Sequence, residues 1–170
     1  MPVLLVAPVL AALPAARATP QATEAGVKAA YLVKFLSYVE WPAGSLADPQ
    51  TPQVIGVLGA DAVLAELQQV LASRPAGARP LRARRLVPGA PLDGVHVLHV
   101  GHGRLPPPQP AGRPLLVVSD VPEGLPEGSA LNFITMGRRV RFEAAPQVAE
   151  RAGLKLSARL LAVAERVVTQ

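Results

Sequence analysis

Between residues 24 and 39 apolar side chains return with a helical period. On a helical wheel Val27, Tyr31, Phe35 and Tyr38 fall within an arc of about 80°, which Leu32 and Val39 widen. The pattern predicts an amphipathic helix. Trp41-Pro42 ends it, because proline restricts the residue before it and cannot continue the helical ladder. Residues 43–53 are polar and proline-rich and read as a loop. The period then changes. "VIGVLG" (54–59) is a short apolar run of the size of a buried strand, and Asp61 is placed to cap a helix with Val63, Leu64, Leu67, Val70 and Leu71 on its apolar face. Strand, turn and helix in that order make a βα unit.

The same reading continues downstream. "RPAGARP" (74–80) is a turn, and "LRARRLV" (81–87) is a strand with Arg82 and Arg84 on one face. "VHVLHV" (95–100) and "LLVVSD" (115–120) are short buried strands separated by the rigid loop "PPPQPAGRP" (106–114). "LNFITM" and "RVRFE" flank Gly137-Arg138 as a hairpin, with Val140 and Phe142 inward and Arg139, Arg141 and Glu143 outward. Pro146 opens a short helix that Gly153 closes. Ser157 starts a last helix with Leu160, Leu161, Ala164, Val167 and Val168 on one side. No internal repeat is present. The expectation is one compact α/β domain. Its sheet is mixed, mostly parallel and of about five strands, flanked by helices, with a late β-hairpin and a C-terminal helix.

The first eighteen residues, "MPVLLVAPVLAALPAARA", stand apart. They are apolar, of the length of an export signal and short for a bilayer span. Ala16-Arg17-Ala18 fits the cleavage rule, so residues 1–18 are expected to be removed and 19–170 to form the domain. Loss of Arg17 takes the formal charge from +5 to +4. The absence of cysteine excludes disulfides, thiolate metal sites and a cysteine nucleophile. Basic charge comes from fourteen Arg and three Lys in a chain rich in Ala, Pro and Gly, which is a weak argument for a nucleic-acid or membrane partner.

Few residues suggest chemistry. On a strand the i, i+3 spacing of His96 and His99 sends them to opposite faces, and His102 lies beyond the strand, so a metal site is not expected. Gly56-x-x-Gly59 lacks the remainder of a phosphate-binding pattern. Ser119-Asp120 sits at a strand end without a nucleophile elbow, which leaves only a weak hydrolase alternative through Ser119. Arg79, Arg82, Arg84 and Arg85 have no interleaved aromatics for stacking nucleic-acid bases. The chain is therefore not expected to be an enzyme, to carry a cofactor or to bind nucleic acid. Four of its six aromatic residues lie in "VKAAYLVKFLSYVEWP" (27–42). Most of that face reads as core, with Trp41 at the helix end able to meet a partner.

These residues also carry a resemblance. "VKAAYLVKFLSYVEWP", "VIGVLGAD", "GVHVLHVG", "PLLVVSDVP", "LNFITMGRRVRFE" and "AERAGLKLSARLLAVA" occur in an order similar to that of the YfiR-like periplasmic proteins, across residues 24–166. The resemblance implies a periplasmic regulator that restrains an inner-membrane diguanylate cyclase and so lowers cyclic di-GMP and biofilm formation. The partner it implies is the periplasmic domain of an inner-membrane GGDEF protein or a sensor kinase; a homodimer is a further option. It carries over no catalytic residue. Disulfide-linked control, associated with a member of the family, is closed to a chain without cysteine. The candidate partner contacts are Trp41, Leu154, Leu156 and Arg159, then Arg141 and Glu143. "GLKLS" places its two leucines off any regular helix face, although both would equally close the core. The alternative is a periplasmic small-ligand binder using Tyr31, Trp41 and arginine side chains.

Overall fold

The computed structural model describes residues 22–169 except 76, 110 and 111. The proposed export segment, 1–18, lies outside the described residues. The order is α1 (Glu24–Tyr38), β1 (Val39–Glu40), β2 (Gln53–Leu58), α2 (Asp61–Ala72), β3 (Leu81–Leu86), β4 (Val97–Val100), β5 (Leu116–Ser119), β6 (Leu131–Met136), β7 (Arg139–Ala144), α3 (Pro146–Arg151), β8 (Lys155–Leu156), α4 (Ala158–Ala162) and β9 (Arg166–Val167). Seven strands form one sheet in the order β3-β2-β4-β5-β6-β7-β9, parallel except for the β6–β7 hairpin. The α/β class, the mostly parallel sheet and the late hairpin match the expectation.

Chain direction explains the two unlike faces of the sheet. The crossover from β2 through α2 to β3 runs one way. The later connections run the other way, from β3 past β2 to β4 and on to β5 and β6, and right-handed crossovers in opposite directions occupy opposite faces. The first face is covered by α1 and α2. Its core joins Leu32, Phe35, Leu64 and Leu67 to Ile55, Val57, Val97, Leu116, Val118 and Phe133. On the second face the described residues of 87–95 and 101–115 contain no helix, and they close only a small cluster of Leu86, Val95, Leu98, Val100, Leu115 and Val117.

Four local expectations are corrected. The sheet has seven strands rather than about five: the six segments read as strands, both hairpin arms included, all join it, and the end of the chain adds a seventh. The last helix stops at Ala162, and Arg166–Val167 pair in parallel with Glu143–Ala144, fixed by Glu165 N–H to Phe142 O at 2.8 Å and Val168 N–H to Ala144 O at 2.7 Å. The buried side of α1 is Lys28, Ala29, Leu32, Phe35 and Leu36, about a quarter turn from the aromatic arc. The helix packs on the sheet beside α2, and Tyr38, near its end, is left exposed (37%). Asp61 is the first residue of α2 rather than its cap, and it forms an ion pair with Arg85 of β3.

Candidate functional site: the Trp41 ribbon

α1 runs straight into a two-stranded antiparallel ribbon. Val39 pairs with Leu156 and Glu40 with Lys155, and the Ser157 N–H donates to Tyr38 O at 2.9 Å. Gly153, at φ +74°, turns the chain into β8; a Cβ there would lie 3.4 Å from Pro42. Two segments more than a hundred residues apart, 38–42 and 153–157, thus form one structural unit. Trp41 follows β1 and is half-buried against the main core. Its Nε1–H reaches the Leu36 carbonyl at a long 3.5 Å, and its ring meets His96 edge to face, with centroids 5.8 Å apart at 75°. Burial pushes His96 below its ordinary pKa, and the charge of Arg79 adds to this. Its Nδ1 accepts the Val54 N–H at 3.1 Å. The indole therefore rests on a neutral imidazole with part of its surface at solvent.

The other expected contacts separate. Leu154 (2% exposed) and Leu156 (5%) lie inside the main core, so they support the ribbon and do not present a surface. Their off-face spacing reflects the turn and short strand rather than exposure. Arg159 is exposed on α4, just after Ser157, whose Oγ accepts the Leu160 N–H at 3.3 Å. Arg141 is half-exposed on the face opposite α1, 3.9 Å from Glu165. Glu143 corrects the expectation of an outward side chain: it is 3% exposed. Asn132 Nδ2 donates to its Oε2 at 3.1 Å, and Arg166 of β9 pairs with its Oε1. The unforeseen edge strand is what buries it.

A charge that the pattern did not reveal lies under α1. Lys28 is 4% exposed, with Nζ 2.6 Å from both Asp120 Oδ2 and Glu24 Oε1. The lysine hydrogen bond leads in holding the Glu24 carboxyl below its ordinary pKa, against a smaller opposing effect of burial. Beside this pair His99 is fully buried. Its Nδ1 lies 3.1 Å from the Val118 carbonyl, which can only accept, so Nδ1 carries the proton and Nε2 is left without a partner. Burial lowers its pKa to about 4. The signal for this cluster was the lysine of "VKAAY", which fell at the edge of the aromatic arc.

The remaining sites of interest are closed. Doubly wound sheets bind ligands at the point where strand order reverses, here between β2 and β4. Gly59 and Gly101 meet there so closely that a Cβ on Gly101 would lie 2.1 Å from Gly59 O. Ser119 is fully buried and hydrogen-bonded to the Ser129 hydroxyl, with no room for a hydrolase substrate. His96 lies on Trp41, His99 is in the core and His102 is exposed 3.8 Å from Asp120, so the three do not converge. Tyr31 packs against Phe35, Phe133 and Phe142, with centroid distances of 5.6 to 6.1 Å. It therefore shares no pocket with Trp41. Arg79 donates to the carbonyls of Leu46, Asp48 and Thr51, ordering the loop after Trp41.

Among the described residues no helix is long and apolar enough to cross a membrane. No curated protein matches the chain. A family model described as YfiR/HmsC-like matches residues 25–165, which takes in both halves of the ribbon and nearly every element of the fold. The chain belongs to the YfiR/HmsC-like family.

Proposed function

We propose that this protein is a periplasmic regulatory binding protein. It docks on the periplasmic part of an inner-membrane signalling enzyme of the diguanylate cyclase type, represses it, and so lowers cyclic di-GMP and biofilm formation. Family membership supports a regulator of this signalling system. The observation that carries the reading is the ribbon. It unites two of the segments that the family resemblance rests on, and it leaves part of Trp41 at the surface, three positions after exposed Tyr38. A half-buried tryptophan on a rigid support is a good interface anchor, since most of its ordering cost is met before binding. Trp41, Tyr38 and Arg159 are the contact residues in this reading, with Leu154 and Leu156 as the floor. Docking to one conformation of the partner shifts its population, and about 1.4 kcal/mol of preference changes that equilibrium tenfold.

The test is direct binding between the mature protein and purified periplasmic domains of GGDEF proteins from the same host. One domain should bind saturably, and Trp41→Ala, still folded at the assay temperature, should weaken it by about tenfold or more. Unchanged affinity in Trp41→Ala would remove the ribbon as the interface. No binding to any GGDEF domain would remove the cyclase reading.

A further inference from the structure

A groove of about 480 Å³ lies on the second sheet face, where coil replaces the covering helices. That volume is in the range of small-molecule sites, roughly 300–1,000 Å³. Its floor is Leu58, Leu86 and Leu98, and its walls are the loops that begin at Val87 and Arg104. Trp41 does not line it. Two large apolar side chains on those walls, Val87 (63% exposed) and Leu105 (72%), remain open to solvent beside the apolar floor.

The charges at the two ends differ. Arg113 is balanced by Asp93 at 3.6 Å. Arg104, at the other end, has no carboxylate within ion-pair distance among the described residues. The backbone that carries it is held in a turn by main-chain hydrogen bonds. The Arg104 N–H donates to Gly101 O at 3.1 Å, and the Gly103 N–H to Asp120 O at 3.0 Å. The guanidinium lies back over Gly59, so closely that a Cβ there would sit 2.6 Å from Nε. Gly59 (φ +69°), in the β2–α2 turn, and Gly103 (φ +67°), in the turn after β4, each occupy the left-handed region. An exposed guanidinium with no ion-pair partner among the described residues, at the end of an apolar groove, complements an anionic head group joined to an apolar body.

We infer that this groove is a binding site for a small amphipathic anion, with its acidic head on Arg104 and its apolar body along Leu58, Leu86 and Leu98. The site is separate from the Trp41 ribbon and stands whether or not the regulatory reading holds.

The test uses the folded chain with sodium decanoate below its micelle concentration, decanol as the neutral counterpart, and anionic vesicles in a separate arm. Decanoate should bind at one saturable site, with amide NMR shift changes centred on residues 86–98 and on Arg104. Decanol should bind at least about tenfold more weakly, and Arg104→Gln should reduce decanoate affinity by a similar factor. Ala90→Trp, which fills the groove, should abolish binding of both. Equal binding of decanol, shifts centred on Trp41 or scattered over the surface, binding unchanged in Arg104→Gln, or association with vesicles alone would each overturn the site.

Discussion

Lys28 has almost no access to water and two carboxylates at 2.6 Å, one of them on a side chain itself only 10% exposed. Removing one member of a buried pair leaves the other uncompensated, a loss of about 3–5 kcal/mol. Lys28→Met should lower stability by that amount in urea unfolding, and adding Asp120→Leu should recover most of it. A double variant as unstable as the single one would show that the pair does not couple. His99 adds a pH dependence. Its folded pKa, about 4, is below the ordinary 6.5, so the unfolded chain binds its proton more readily. Its contribution is full above pH 6.5 and is lost as pH falls from 6.5 towards 4, about 3 kcal/mol in all. The neighbouring Asp120 charge opposes this shift and Lys28 reinforces it, but burial dominates. His99→Leu should flatten the stability profile over that window; an unchanged slope would assign it to other groups. None of this was legible at the residue level. A lysine at the edge of a helix face is ordinarily solvated, and its partner is 92 positions away.

Elements were read best where one period persists. α1, α2, the parallel strands and the hairpin follow their apolar patterns within a few residues. The short pieces were not, because a two-residue strand has no period of its own. β1, β8 and β9 exist through tertiary pairing, which overrode the helical spacing of Leu160, Leu161, Ala164 and Val167. The edge strand has a measurable consequence. Arg166 is the cation on buried Glu143, so Arg166→Ala leaves that carboxylate with Asn132 alone. We expect a loss of about 2–3 kcal/mol by urea midpoint, nearly restored in Arg166→Ala/Glu143→Gln. Failure of the second change to restore stability would show that Arg166 acts through packing instead.

At the scale of the molecule, one face of the sheet is sealed by two helices and carries the core, while the other is closed by proline-rich coil. The α/β class was legible from alternating strands and helices, and the family from motifs spread along the chain. The half-exposure of Trp41 was legible from its place at the helix end, but the ribbon that supports it was not, because it pairs segments far apart in sequence. The ribbon is also why Leu156→Asp is a poor probe of binding. It buries a charge in the core and should unfold the domain, whereas Trp41→Ala should leave the fold intact. The most direct measurement is intracellular cyclic di-GMP in the host with the gene deleted, restored, or restored as Trp41→Ala. Repression through the ribbon predicts a several-fold rise on deletion, full reversal by the natural chain and little reversal by the folded variant. Cyclic di-GMP unchanged by deletion would contradict it.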